Sequence, residues 1–210
     1  MYVKRFKFHP EIVQGHDAAL AQGPACYAIQ RSDVKSFTIN KGVLDHKVEN
    51  AFSGQLPRRV FVALVDNKGF NGSLKNYPFK FFNANVSQVS LYANGHQYPM
   101  KPYQPNYKEG MYLREYYSLF ETLKQTNSHP NLKLTPSEFA NVGYCIYGFD
   151  LSADGNDGCG TEGHVDTIKT GALRVEIHFQ EATTSTMNLV LYGQSDNVMR
   201  LDTYRNPVEY

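Results

Sequence analysis

The sequence of 210 residues contains no tryptophan, only three cysteines and no strong excess of either charge. Its 21 Lys and Arg residues are balanced by 20 Asp and Glu residues, so the charge does not indicate a polyanionic partner such as nucleic acid. The cysteines, at positions 26, 145 and 159, are widely and irregularly spaced, which fits neither a disulfide framework nor a zinc site. No run approaches the roughly 18 apolar residues that a membrane-spanning helix needs.

The patterns of a signal peptide and of common enzyme motifs do not occur in these residues either. Residues 1–10 alternate basic and aromatic side chains and lack the apolar stretch of a signal peptide, so we expect the protein to fold inside a cell. The nucleophile pattern G-x-S-x-G and the phosphate-binding patterns G-x-x-x-x-G-K and G-x-G-x-x-G do not occur. These absences weaken an enzymatic function, and we expect a protein that is not an enzyme and holds no cofactor or metal.

What the sequence does contain favours strands. Hydrophobic residues make up 41% of it, with 15 Tyr and 13 Phe, and aromatic and β-branched residues fit a pleated sheet. The periodicity predicts an all-β fold, an eight-stranded antiparallel jelly-roll β-sandwich with one or two short helices in loops. We expect a single domain over 1–210, with a lead-in at 1–30 and the sandwich at 31–210. The predicted strands are 34–39, 43–52, 57–66, 86–93, 96–100, 143–151, 171–180 and 186–194, with 198–202 as a further edge.

Short sequence motifs predict a turn, the end of a strand and the two faces of another strand. Asn94-Gly95 predicts a tight hairpin, because both residues accept the positive φ angles of a type I′ turn. The prolines within 99–105 lack N–H groups, so we expect the chain to leave the sheet there. In the strand 174–180 we expect Val175, Ile177 and Phe179 to point inward and the residues between them to face solvent.

Two helices are predicted outside the strands. Apolar residues recur at a helical period over 110–124, which indicates one amphipathic helix. A second short helix begins at Thr135, where Pro136 suits the first turn and Glu138 completes a capping box.

Two patterns suggest metal or nucleophile chemistry, and neither is complete. The loop DLSADGNDGCGTEGH offers Asp150, Asp154, Asn156, Asp157 and Glu162, but Glu162 lies one position too late for a calcium loop. In the same region Cys159 and His164 lack the paired cysteines of a zinc site. We interpret the loop as a solvated connection, and Cys145 as a small buried residue inside a strand.

The order of several stretches resembles the C-terminal jelly-roll of the major capsid (hexon) protein of Polinton/Maverick and adintovirus-type DNA viruses. The resemblance covers nearly the whole chain, and the last stretch is its most specific part. The stretches are HPEIVQGHDAALAQGPACYAI (9–29), VKSFTINKG (34–42), GQLPRRVFVALVDNKGFNGS (54–73), NYPFKF (76–81), YGFDLSADG (147–155) and 169–210.

The resemblance implies a structural role in a virion capsid. Such proteins are double jelly-rolls whose pseudo-hexagonal trimeric capsomers tile a shell, and this chain has about half their length. The implied partners are other copies of the chain, a second jelly-roll domain, and penton or minor capsid proteins, with no specific nucleic acid and no membrane span. The implied localisation is the virion, after folding in the host cytoplasm or nucleus.

Aromatic residues in loops are the candidate contact sites. Tyr and Phe anchor protein interfaces, and the stretches 70–82 and 98–107 look like poor core material. We therefore expect these loops and the helix at 111–124 to contact neighbouring jelly-rolls. The predicted interface residues are Phe70, Tyr77, Phe81, Tyr103, Tyr107, Tyr112 and Tyr116.

Two other functions stay open at this point. A carbohydrate-binding β-sandwich is the main alternative, because Tyr98, Tyr103 and Tyr107 could stack on sugar rings, and fold alone does not separate the two functions. A hydrolase on a sandwich scaffold is a weaker alternative, which a pair of carboxylates in a cleft would support.

Overall fold

A computed structural model of the chain describes residues 3–124, 133–152 and 169–209. These residues form two compact units. The larger comprises residues 32–124, 133–152 and 169–195, and the smaller comprises residues 3–31 and 196–209. The boundaries predicted for the lead-in and the sandwich stay predictions.

Strands dominate the described residues, and helices lie at the start of the chain and between strands. The strands are β1 (Ala25–Ile39), β2 (Asp45–Gln55), β3 (Arg59–Asp66), β4 (Val86–Ala93), β5 (His96–Tyr103), β6 (Ile146–Asp150), β7 (Thr170–Phe179), β8 (Met187–Leu201) and β9 (Pro207–Glu209). The helices are α1 (Pro10–Gln22), α2 (Asn67–Phe70), α3 (Leu113–Thr122) and α4 (Pro136–Glu138), and a π-helical turn, Phe139–Gly143, follows α4.

The strands form two sheets with the connectivity of a jelly-roll. Sheet 1 has the order β1-β8-β3-β6, and the short β9 also pairs with β8. Sheet 2 has the order β2-β7-β4-β5. Every strand pair whose register is described is antiparallel. The predicted all-β jelly-roll sandwich is therefore confirmed, with β9 as an additional short strand.

The core lies between the two sheets. Sheet 1 contributes Val60, Val62 and Leu64, which alternate along β3, and sheet 2 contributes residues such as Leu91 and Ile177; all are almost completely buried. Alternation of this kind places one set of side chains on the inner face of each strand. The apolar run Val60 to Val65 accounts for the burial of β3 on both faces, and the inward set of β7 is confirmed.

The structure confirms the predicted hairpin turn and the predicted helix cap. Asn94 and Gly95 join β4 to β5 with φ angles of 51° and 83°, as a type I′ turn requires. Thr135 and Glu138 form a reciprocal capping box at the start of α4. The helix predicted at 110–124 is α3, which begins and ends slightly inside that range.

Three expectations need correction. The chain does not leave the sheet for good at Pro99, because β5 continues to Tyr103; its pairing with β4 is nevertheless irregular between Tyr98 and Tyr103, where Pro99 and Pro102 lie, since proline has no N–H for the ladder. The first strand begins at Ala25 rather than at 34. The segment predicted as a separate edge at 198–202 is the end of the long β8.

None of the helices in the described ranges is both long enough and apolar enough to cross a membrane.

Candidate interaction surface

The connection from β3 to β4 exposes several large apolar side chains close together in sequence. After α2 the chain forms an irregular loop over residues 71–82. The four exposed residues, which we call the aromatic loop, are Phe70 (45% exposed), Leu74 (fully exposed), Tyr77 (67%) and Phe79 (64%). Exposed apolar patches of this kind mark interaction sites more often than single exposed residues do.

Hydrogen bonds and close packing fix the shape of this loop. The Asn71 side chain donates to the Asn67 side chain at 2.8 Å, and the Tyr77 and Phe79 rings contact each other at 5.7 Å. A side chain at Gly69 would lie 3.3 Å from the Tyr77 carbonyl oxygen, so only glycine fits there easily. The exposed side chains therefore project from a defined backbone.

Phe81 anchors the end of the loop. Its N–H donates to the Gly143 carbonyl at 2.8 Å, and its own carbonyl accepts from the Cys145 N–H at 3.1 Å. Phe81 is half-buried, unlike the exposed residues before it. The loop is thus tied to the segment that enters β6.

An apolar groove adjoins this anchor. It has a volume of about 540 Å³ and lies against the outer face of sheet 1. Tyr144, which sits between the two residues bonded to Phe81, is 49% exposed and lines the groove. The groove is therefore adjacent to the end of the loop, at Phe81. The other lining residues include Phe61, Ile146, Tyr192, Leu119 and Leu123.

Tyr103, a predicted interface residue, lies in the core. It is 7% exposed, its hydroxyl donates to the Gly148 carbonyl at 3.0 Å, and its ring lies 4.8 Å from that of Phe149. Burial raises the pKa of Tyr103. The inference that the 98–107 stretch is poor core material was wrong at this position, because Tyr103, at the end of β5, pairs with the core residue Val89 of β4.

Tyr107 is also engaged inside the subunit. Its hydroxyl lies 2.6 Å from the Tyr147 hydroxyl and 3.1 Å from the Cys145 sulfur. Burial raises the pKa of the tyrosine well above its usual range and raises the pKa of the Cys145 thiol to about 11. A neutral, buried thiol is a poor nucleophile, so Cys145 is a packing residue. It is buried as predicted, but it lies just before β6 and not inside the strand.

Tyr112 and Tyr116 pack around Phe139 of the π-helical turn. Tyr112 stacks between Tyr107 and Phe139, at 5.5 and 6.4 Å. Tyr116 contacts Phe139 at 5.9 Å, and its hydroxyl donates to the Leu134 carbonyl at 2.7 Å. Both tyrosines are half-buried, and they join α3 to the chain that precedes β6.

Of the seven predicted interface residues, the structure thus places Phe70 and Tyr77 at an exposed surface. Phe81 anchors that surface, and the four tyrosines contact other parts of the larger unit. An interface role for any of them stays a prediction. Leu74, Phe79 and Tyr144 are exposed residues that were not singled out, although the first two fall in the stretch predicted to make contacts.

The outer face of sheet 2 has a different character. Glu176 of β7 is only 7% exposed, and its carboxylate lies 3.3 Å from Arg174 and 3.5 Å from Lys47 of β2. His178 pairs with Asp45 one step further along the same two strands. Glu176 points outward as predicted, but its cationic neighbours cover it, so it is not the solvated residue that the alternation suggested.

The structure describes only part of the loop considered as a calcium or zinc site. Asp154, Asn156, Asp157, Cys159, Glu162 and His164 lie outside the described residues. Asp150 is described, and it accepts from Ser152 and pairs with Lys124 at 3.1 Å. Within the described ranges, no three His, Cys, Asp or Glu residues are grouped as metal ligands.

Comparisons with known sequences identify one relative of undefined role. No protein-family model matches the chain. Over 184 residues the chain is 29% identical to uncharacterized protein F54H12.2 of Caenorhabditis elegans. The match covers 87% of this chain and 43% of that protein, so the chain spans less than half of its relative's length.

Comparisons with solved structures identify the same fold in viral capsids. A chain in a quasi-atomic model of the PBCV-1 virus capsid matches with a TM-score of 0.55 and 11% identity, over 93% of this chain and 54% of that one. A chain of the Sputnik virophage matches with a TM-score of 0.51 and 13% identity, over 89% of this chain and 39% of that one. At these identities the matches establish the shared fold.

Proposed function

We propose that this chain is a jelly-roll module of a viral major capsid protein of the Polinton/adintovirus type. In this proposal it has a structural and not a catalytic role in the virion. The observation that carries the proposal is the strand order, β1-β8-β3-β6 in sheet 1 and β2-β7-β4-β5 in sheet 2. This structure matches a PBCV-1 capsid chain over 93% of its length. Fold alone does not determine function, so the proposal also needs a surface suited to assembly.

The half-length match suggests what the module assembles with. The match of this chain covers 54% of the PBCV-1 capsid chain and 43% of the C. elegans protein F54H12.2. We propose that a second jelly-roll domain and other copies of the chain are its partners, and that together they form pseudo-hexagonal trimeric capsomers. Penton or minor capsid proteins would then meet the capsomer edges.

The aromatic loop and the adjoining groove supply the surface. Phe70, Leu74 and Tyr77 expose apolar area on a loop whose backbone is held in place. Aromatic and apolar anchors of this kind dominate the energetics of protein contacts, and a fixed backbone lowers the entropy lost on association. We propose that this surface makes the lateral contacts between jelly-rolls.

Sedimentation analysis and electron microscopy test the proposal. We expect the protein, together with its partner domain, to form trimers as the concentration rises. The variant Phe70→Ser/Leu74→Ser/Tyr77→Ser should shift the population toward monomers while its thermal unfolding stays unchanged, because the three side chains are exposed in the subunit.

A matched control removes three exposed apolar side chains elsewhere. Val34, Leu44 and Tyr204 are 60%, 50% and 84% exposed, and the variant Val34→Ser/Leu44→Ser/Tyr204→Ser should assemble like the original protein. Monomers at all concentrations, or equal losses in both variants, would contradict the proposal.

The carbohydrate-binding alternative loses its main support. It relied on exposed tyrosines, but Tyr103 is buried and the Tyr107 hydroxyl is bonded to Tyr147 and Cys145. These rings do not form an open platform for a sugar. Retention of a monomeric protein on a glycan array would reverse this conclusion.

A further inference from the structure

The segment before α1 carries a cluster of positive charge that forms no ion pair within the part of the chain that the structure describes. Lys4, Arg5 and Lys7 are all exposed, and the first acidic residue of the chain is Glu11. Among the described residues none of these three cations has a carboxylate within 4 Å, whereas Arg205 in the same unit pairs with Asp17 at 2.7 Å. Their charge is therefore available to a partner.

Aromatic side chains lie among these cations and are not buried. Phe6 and Phe8 are 67% and 58% exposed. Their rings stack at 6.5 Å, and the Lys4 ammonium lies 5.0 Å from the centre of the Phe6 ring. Exposed Val3 and Ile12 extend the apolar area at both ends. The segment thus presents a mixed cationic and apolar surface, which we call the basic-aromatic segment (residues 3–12).

We propose that the basic-aromatic segment binds the surface of an anionic lipid bilayer. Basic residues are attracted to anionic headgroups, each strengthening binding about five-fold. Aromatic and aliphatic side chains on the same segment enter the boundary between headgroups and acyl chains. The contact would be peripheral and would not require the chain to span the membrane.

The composition of the segment favours lipid over nucleic acid. Single-stranded nucleic acid is bound by aromatic rings that stack on bases and by a groove of basic residues that follows the phosphates. Val3 and Ile12 have no ring to stack, and the Phe6 and Phe8 rings already contact each other. Aliphatic side chains beside three cations suit a bilayer surface instead.

Vesicle co-sedimentation tests the inference independently of any capsid role. We expect the whole protein to pellet with vesicles of phosphatidylcholine and phosphatidylserine at about 7 to 3, and to be released by high salt. It should not pellet with pure phosphatidylcholine. The variant Lys4→Gln/Arg5→Gln/Lys7→Gln should lower the partition coefficient on the order of 100-fold. Phe6→Ser/Phe8→Ser should also lower it, although it changes no charge.

A control variant removes the same charge from other surfaces. Lys41, Lys68 and Lys101 are exposed, and Lys41→Gln/Lys68→Gln/Lys101→Gln should bind the vesicles like the original protein. An equal loss in this control would overturn the inference, since binding would then follow net charge alone. No binding to the anionic vesicles would also overturn it, as would tight binding to a single-stranded oligonucleotide in its place. Thermal unfolding of each variant checks that the fold is kept.

Discussion

The outer face of sheet 2 carries a network of charged residues, whereas the middle of the outer face of sheet 1 is apolar, beside a polar row of Arg59, Gln194 and Asp150. Across sheet 2, Lys47, Glu176 and Ser90 occupy one row of the register, and Asp45, His178 and Gln88 occupy another. Across sheet 1 the corresponding rows are Tyr192, Phe61 and Gly148, then Val190, Ala63 and Ile146. One fold therefore presents two chemically different surfaces.

The difference explains where the helices lie. An apolar outer face gains free energy when it is covered, and α3 packs against β6 so closely that a side chain at Gly148 would lie 2.7 Å from the Thr122 hydroxyl. The charged residues on the face of sheet 2 form ion pairs with one another. Part of the outer face of sheet 1 that α3 leaves uncovered lines the apolar groove, next to Phe81 at the end of the loop.

The largest expected effect tests whether α3 stabilises the protein by burying part of the outer face of sheet 1. Leu119 is 4% exposed on the face of α3 that packs against the sheet. Leu119→Ala removes buried apolar area and leaves a cavity, so we expect the free energy of unfolding to fall by about 2–4 kcal/mol. Urea denaturation followed by circular dichroism measures it.

An exposed leucine of the same helix offers a matched control. Leu113 is 62% exposed, and Leu113→Ala should change the free energy of unfolding by less than about 0.5 kcal/mol. Equal effects of the two substitutions would mean that α3 does not cover the sheet.

The asymmetry between the sheets was only partly visible in the sequence. The alternation Arg174-Val175-Glu176-Ile177 indicated a polar outer face for β7, because period two separates the faces of a strand. On β3, Val60 to Val65 is apolar without interruption, which indicated burial on both sides but not which helix supplies the second cover. That depends on contacts between residues far apart in the sequence.

The candidate surface was predictable as a stretch but not residue by residue. The turn-rich composition of 70–82 located the loop, since such segments lie at surfaces. Composition did not separate Tyr77, which is exposed, from Tyr103, which is buried where β5 pairs with Val89 of β4. Aromatic residues serve both cores and interfaces, so only the three-dimensional arrangement distinguishes them.

A smaller effect tests whether the ion pairs hold the face of sheet 2. In Glu176→Gln the Lys47 and Arg174 side chains lose their shared carboxylate. Because both cations are partly solvated, we expect a loss of about 1–2 kcal/mol in the free energy of unfolding, and a smaller loss at high salt. Glu49, which is 68% exposed and 3.8 Å from Arg174, is the control; Glu49→Gln should cost less than about 0.5 kcal/mol. A loss at Glu176 that salt does not reduce would argue against a charge network.

The smallest effect concerns a polar residue on the apolar side of sheet 2. His46 of the edge strand β2 pairs in register with Ile177, whose side chain points into the core. The buried Nε2 atom of His46 has no hydrogen-bond partner in the described structure, and burial lowers the pKa of this histidine below 6.5.

As the pH falls through about 6.5, the unfolded chain takes up a proton that the folded chain does not, so the free energy of unfolding decreases. His46→Gln removes this contribution, and its stability should therefore fall less than that of the original protein between about pH 7.5 and 5.5. Parallel stability curves for the two proteins over this range would show that His46 is as well solvated in the folded sheet as in the unfolded chain.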